Sequence, residues 1–359
     1  MSAEEILAGP PAVPASHPEL GSFWRRFLAL LIDIAILTIV GLSLGSIFGS
    51  VFSRMGVWAR LVGLGVALLY FVPLDGPLAG GATPGKRALG LRVADAQGAP
   101  PSWNAAFVRG LYLSVMLALN GYTVVDSWYK PRVILLMLFW TSVIVSIYLM
   151  IFERRRRQGA HDMLAGTFVM RAGTTWSAPG PRNPVHAIVL AGWFALSGVA
   201  GWIVWRRYSP QLDPLLALRK AVVASVGRDE VGVNRSIMSM KGTVTRSLNI
   251  SVLAYYVPDQ DAGVDILRRE IKTVFSSGYP VDELNGISVS VVTGYTLGIA
   301  SWSRNHYVGN SVEKWRAWLS GADPGPFPLN PGQATPPTGA PPSGTPSPGG
   351  TPGSPAAHG

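Results

Sequence analysis

Four stretches, at about residues 27–48, 57–74, 133–152 and 187–205, are apolar for close to the length of a bilayer-crossing helix, which needs roughly 20 mostly apolar residues for ~30 Å of hydrocarbon. Buried core helices of a soluble protein are the competing reading, and composition decides against it. Only 14% of residues are charged while 48% are hydrophobic, with a mean hydropathy of +0.29, against about 25% charged in ordinary soluble domains. A fifth stretch, residues 103–119, is shorter and carries Arg109 in its first third. By itself it reads as an amphipathic helix; within a bundle it reads as the third span, because a long basic side chain near a helix end snorkels to the interface. The expected fold class is therefore an α-helical integral membrane bundle of about five transmembrane helices.

The net charge of +10 raises the question of a nucleic-acid partner, and its distribution answers it. Residues 1–207 hold 18 Lys/Arg against 9 Asp/Glu, whereas residues 208–320 hold 12 against 10. The basic excess lies between the apolar stretches, where it sets orientation. With five spans and the N-terminus inside, the cytoplasmic segments hold twelve Arg/Lys from Arg25 to Arg182, and the outer loops only Arg54, Arg60, Lys130 and Arg132. This predicts a multi-pass chain with everything after Trp205 outside. Glu4, Glu5 and several prolines precede the first apolar run, without the basic region of a cleaved signal peptide. The absence of cysteine removes disulfides, thiolate zinc sites and a cysteine nucleophile.

Beyond the last span, Asp213-Pro214 followed by an apolar-periodic run and Gly227 has the signature of a helix capped at both ends. Residues 243–257 alternate, with Val244, Leu248, Ile250, Val252, Ala254 and Tyr256 on one parity, which predicts a half-buried strand. Asp261 opens a second helix with Val264, Leu267, Ile271 and Val274 on one face, and Gly278 closes it. Another alternating run starts at Ile287, breaks near Gly294 and resumes through Trp302. Together these predict a small extracytoplasmic α+β domain over residues 208–320, large enough for its own core. Residues 321–359 are Pro, Gly, Thr and Ser with almost no charge, a composition expected to stay disordered; a disordered cytoplasmic N-terminus of residues 1–22 is expected as well.

Asp33, about two turns inside the first apolar stretch, is the most informative side chain, since an intramembrane carboxylate must face the bundle interior and find a partner. It reads either as half of a structural ion pair, with Arg109 the expected partner, or as an ion or proton site. Arg26 returns to nearly the same helix face but ~10 Å away. Gly80, Gly85 and Lys86 have the spacing of a phosphate-binding loop, but Arg87 stands where Ser or Thr is needed and a membrane helix precedes it. Arg154, Arg155, Arg156 and Arg157 are expected to fix topology and attract anionic lipid headgroups. His161-Asp162 has no second His at ligand spacing, so no metal site is expected. Gly41, Gly45 and Gly49 form a small-residue face suited to helix packing, within the monomer or between copies.

Three blocks occur in order: FWRRFLALLID at residues 23–33, TPGKRALGLRV at 83–93 and RRRRQGAHDMLAGTFV at 154–169. In these the chain resembles the RDD family of bacterial membrane proteins, named for an arginine and two aspartates, here Arg26, Asp33 and Asp162. The resemblance covers residues 23–172 as a membrane domain; residues 173–207 are the linker and fifth span, and the outer domain and tail lie beyond it. It implies an inner-membrane protein linked with transport or sensing of a small solute or ion, including cation/proton exchange. The competing expectation is a non-transporting anchor or assembly factor that presents the outer domain to a partner. Four or five spans are few for a pathway in one monomer, so transport implies a homo-oligomer. No enzyme is expected: the outer half has no nucleophile, base or metal constellation, and His306 stands alone. No cofactor and no nucleic acid enter these expectations; the bilayer does.

Overall fold

The computed structural model describes residues 20–120, 129–176, 180–181, 183–228, 230–240 and 243–322. The terminal segments expected to be disordered lie outside these, apart from residues 20–22 and 321–322. The first apolar stretch forms α1 (Phe23–Met55), kinked at Phe48 and closed by Gly56, whose φ of 60° reverses the chain. A turn at Gly56–Trp58 leads back into α2 (Ala59–Asp75). Thr83 and Pro84 then start a short α3 (Pro84–Ala88), with the Thr83 hydroxyl accepting from the Lys86 N–H, the usual economy of a polar cap followed by a residue that has no N–H to satisfy.

Strand β1 (Leu91–Ala94) follows, then α4 (Trp103–Ala118), capped by Ser102, then α5 (Tyr129–Phe152) and α6 (Ala160–Ala165). Strand β2 (Phe168–Arg171) pairs antiparallel with β1. Two helical segments among the described residues are long and apolar enough to cross a membrane, Phe23–Asp75, which contains the α1/α2 hairpin, and Pro184–Ile203. The expectation of five spans is thus met only in part: α4 has 16 residues, and the apolar part of α5 that qualifies is Trp140–Phe152.

One expectation needs correction. The fifth apolar stretch and the helix expected to start at Asp213 are a single helix, α7 (Pro184–Val226), of 43 residues. Asn183 caps its start and Gly227, at φ 69°, ends it. Asp213-Pro214 therefore lies inside a helix, where a proline removes one donor without stopping the chain. The first half of α7 exposes its apolar side chains all round, and its second half packs Leu218, Val222 and Val226 into the outer domain.

The C-terminal α+β domain, expected to lie outside, has a four-stranded sheet of β3 (Val231–Met240), β4 (Thr243–Tyr255), β5 (Gly286–Thr296) and β6 (Ser301–Ser311), in that spatial order. Strands β4 and β5 are parallel, joined through α8 (Gln260–Ser276), and the other pairs are antiparallel. The helices α7, α8 and α9 (Val312–Leu319) supply one side of a core whose other side is Leu248, Ile250 and Val252 of β4 and Ile287, Val289 and Val291 of β5. The alternation expected for β4 holds from Leu248 to Ala254, while Val244 and Tyr256 are exposed. Tyr255 explains the second departure, because its φ of 54° ends the pleat. Strand β3 and helix α9 had no counterpart in the sequence reading.

The sheet and the helices meet through the tip of the β5–β6 hairpin. Leu297 and Ile299 are buried with Leu37 and Phe52 of α1 and Ala67 and Phe71 of α2 in one apolar cluster, and the Thr38 hydroxyl donates to the Ile299 carbonyl at 3.1 Å. Glycines make the approach feasible. A Cβ at Gly41 would strike Ala300 and Ile299, one at Gly45 the Tyr295 ring, and one at Gly63 the Leu297 carbonyl. The small-residue face of α1 is thus filled from within the same chain.

Candidate functional site

At the opposite end of α1 and α2, charged side chains converge that would each be costly in an apolar bundle. Arg26, Lys86 and Arg109 meet Asp33, Asp75 and Asp162, three cations against three carboxylates, all with buried side chains. Each acid comes from a different element. Asp33 lies in α1, Asp75 is the last residue of α2, and Asp162 sits in the first turn of α6.

The expected partnership of Asp33 with Arg109 is not formed. Asp33 accepts instead from the Tyr70 hydroxyl (2.7 Å), the Thr83 hydroxyl (2.6 Å) and the Gly85 N–H (2.9 Å). Three neutral donors solvate this carboxylate in place of water. Gly85 is required there because a Cβ would run into the Ala29 carbonyl and the Asp33 carboxylate. The loop that superficially resembles a phosphate cradle therefore wraps a carboxylate of its own chain.

Arg109 bridges the other two acids. Its Nε donates to Asp75 Oδ2 at 2.9 Å and its Nη1 pairs with Asp162 Oδ1. Asp75 also takes Lys86 Nζ at 2.5 Å. Burial pulls the Lys86 ammonium below the usual lysine range, with Asp75 opposing and Arg109 adding to the fall. Asp75 was not singled out in the sequence, and Lys86 only through the rejected phosphate-loop spacing. Asp75 closes an apolar run, where an acid ordinarily marks the return to water, and the available signal was that Arg109 and Lys86 both needed a carboxylate at that depth.

Arg26 acts as a clasp. It donates from Nε to the Gly21 carbonyl (3.0 Å) and from Nη2 to the Val169 carbonyl (2.8 Å), and its Nη1 reaches the Arg157 carbonyl and, at 3.4 Å, Asp162 Oδ2. Asp162 in turn accepts the Gly159 N–H at 3.1 Å, fixing the start of α6. His161 lies against the Tyr112 ring, with Nε2 3.6 Å from Asp162. Burial and then the Arg109, Lys86 and Arg26 charges hold this imidazole well below its usual pKa, so it is neutral at physiological pH. No cluster of three His, Asp or Glu able to hold a metal occurs among the described residues.

The arginine run also departs from expectation. Glu153, buried at the end of α5, accepts the N–H groups of Arg156 and Arg157 and turns the chain back. Arg156 donates to the Gly180 carbonyl and lies over the Phe168 ring, so Arg154 alone is fully exposed. A carboxylate one residue before the run converts a lipid-facing basic cluster into a folded turn. Beside the ion pairs lies a cavity of about 290 Å³ with apolar walls that include Phe27, Leu30, Met116, Ile147 and Met150.

No curated protein and no solved structure matches the chain. The segment that supplies Arg26, Asp33, Asp75, Lys86, Arg109 and Asp162 has a match of its own: residues 20–166 match the RDD family, which makes this segment an RDD domain, membrane-associated and with its named arginine and aspartates in one buried cluster.

Proposed function

We propose that this chain is a non-transporting membrane scaffold whose RDD domain anchors and orients the outer α+β domain for a partner. In this reading α1, α2, α4, α5 and the first half of α7 cross the inner membrane, the N-terminus is cytoplasmic, and the sheet lies outside. The observation that carries the proposal is the hairpin tip seated between α1 and α2, with Leu297 against Gly63 and Tyr295 against Gly45. A wedge of that kind fixes the outer domain to the bundle and fills the space through which a solute would leave. It also accounts for the short α4. Arg60 donates to the Ala118 and Asn120 carbonyls at the end of that helix, and Gly298 lies against Leu117, so carbonyls that would otherwise face hydrocarbon find partners.

The balanced ion-pair cluster supports the same reading, since every carboxylate in it holds a loop or helix end. The deciding experiment is ion flux into proteoliposomes carrying wild type or Asp33→Asn. The scaffold reading expects no sodium, potassium or proton flux above protein-free liposomes. Wild-type flux that vanishes in a folded Asp33→Asn protein would establish transport and remove the proposal.

A further inference from the structure

The cluster end of α1 and its far end differ in what they offer to a ligand. At the far end, a cavity of about 400 Å³ lies between α1 and the sheet, with Ser50 and Ser53 on the helix side and Tyr256, Trp302, Arg304 and His306 on the other. Its depth is fixed by helix geometry. Ser50 and Ser53 follow Trp24 by 26 and 29 residues, which at 1.5 Å per residue is about 40 Å along the axis. A bilayer with its headgroups is ~40–45 Å thick. Exposed aromatic residues mark the same two levels: Trp24 and Trp103 near one end, Trp58, Tyr256 and Trp302 at the other. Such residues collect where hydrocarbon meets headgroups.

The cavity's chemistry suits a single negative charge. The Arg54 guanidinium lies over the Tyr256 ring at 5.1 Å, and that of Arg304 over Trp302 at 5.8 Å. The one carboxylate lining the cavity, Asp259, accepts the Ala262 N–H at the start of α8. Arg304 in the lining balances Asp259, and Arg54, which does not line the cavity but stacks on Tyr256 that does, adds one positive charge beside it. Hydroxyls are also available. The Ser43 and Ser46 hydroxyls, earlier in α1, bond back to the Ile39 and Ser43 carbonyls, whereas the Ser50 and Ser53 hydroxyls have no hydrogen-bond partner among the described residues. Burial and the neighbouring Arg304 lower the His306 pKa, so this ring adds a neutral donor or acceptor and no further charge.

We infer that this cavity is a binding site for the phosphodiester head group of a membrane phospholipid, held by Arg304 and Arg54 with Ser50 and Ser53 donating to its oxygens. The inference rests on α1 crossing the bilayer, as in the scaffold reading, and it adds a lipid that clamps the outer domain to the membrane surface.

The test uses the full chain in detergent micelles and reads the midpoint of thermal unfolding while phosphatidylglycerol, diacylglycerol or inorganic phosphate is titrated. Phosphatidylglycerol should stabilise wild type, diacylglycerol and phosphate should not, and Arg304→Gln should need about tenfold more lipid for the same shift, the loss of one charge-assisted hydrogen bond. Arg246→Gln, the same charge change on an exposed residue at the start of β4, should behave as wild type. Equal stabilisation by diacylglycerol, equal stabilisation by free phosphate, an unchanged Arg304→Gln protein, or an equal loss in Arg246→Gln would each overturn the site. Resistance of the membrane-bound protein to carbonate extraction is read separately. Loss of that resistance in wild type would refute the spanning of α1, whatever the lipid titration gives.

Discussion

The two ends of the α1/α2 hairpin are closed by opposite chemistry. At the ion-pair end, Asp33, Asp75 and Asp162 recruit donors from α1, α2, the Thr83–Lys86 segment, α4 and the start of α6, and the joint depends on charge and hydrogen bonding. At the other end, Gly41, Gly45 and Gly63 admit a β-hairpin whose Tyr295, Leu297 and Ile299 make an apolar contact. The first joint fails by leaving a charge unpaired, the second by a change of shape. If the hairpin spans the bilayer as proposed above, the first failure is the more costly, because hydrocarbon gives a stranded ion nothing to turn to.

The largest effect should therefore come from Asp75→Asn, which strands Lys86 and leaves Arg109 with Asp162 alone. A loss of ~3–5 kcal/mol is expected for a broken buried pair, visible as collapse of membrane yield and of the monodisperse detergent peak. A protein that purifies normally would mean water reaches this cluster. At the other joint, Gly63→Ala pushes a methyl into the Leu297 carbonyl, and overpacking of this kind costs about 1–3 kcal/mol. Faster amide exchange over the hairpin tip, residues 295–300, with exchange in the core of the sheet unchanged, is the expected signature. Uniform exchange across the sheet would show that the wedge supports the whole domain.

The C-terminal α+β domain carries a buried charge problem of its own, without the pairing found in the RDD domain. Glu270 shares the inner face of α8 with Leu267, Ile271 and Val274 and is fully buried; no side-chain donor reaches its carboxyl among the described residues. Burial pushes its pKa well above 4.5, opposed only by a backbone contact from Ser290. The sign follows directly. The folded state keeps a proton that the unfolded state releases near 4.5, so the contribution is complete below that pH and is lost as pH rises above it, by up to ~1.4 kcal/mol per pH unit. Thermal unfolding at pH 5, 6 and 7 should show a falling midpoint that Glu270→Gln flattens. An unchanged slope in that variant would assign the pH dependence to other groups.

The smallest expected effect is a null. Asp33 and Arg109 have different partners, so Asp33→Asn and Arg109→Gln should add to within ~0.5 kcal/mol in a double-mutant cycle. Arg109→Gln with Asp75→Asn should couple well beyond that. Coupling of Asp33 to Arg109 as strong as that of Asp75 would merge the two halves of the cluster into one network.

Much of this architecture is written in local pattern, and the misses have a common cause. The apolar runs, the alternation of Leu248 to Ala254 and the face of α8 are periodic signals that a chain carries whatever it packs against. Pairing is different. Asp33 was visible as an intramembrane acid, but its donors come from Tyr70, Thr83 and Gly85, brought near only by the α1/α2 reversal. Strands β1 and β2 have four residues each, too few for alternation to stand out. A break was expected near Gly294, but β5 runs through it, at φ 140°, to Thr296, and the chain turns at 297–300; that this hairpin inserts between α1 and α2 is set by Gly41, Gly45 and Gly63, more than 200 residues earlier. The Gly227 end of α7 was legible through its cap, but the Asn183 cap at its start and its continuity through Pro214 were not.

That continuity has a mechanical consequence. A helix of 43 residues is about 65 Å long, and α7 has no turn between its exposed apolar half and the half whose Leu218, Val222 and Val226 enter the sheet's core. Its two halves share one angular phase. Each residue inserted or removed between them rotates the far half by ~100°, enough to swing those three side chains out of the core. A tilt or rotation imposed by the bilayer on the near half likewise reaches the sheet undamped, with Tyr148 and His186, 3.1 Å apart, tying α5 to the shaft near its base. The helix works as a crank whose setting is counted in residues.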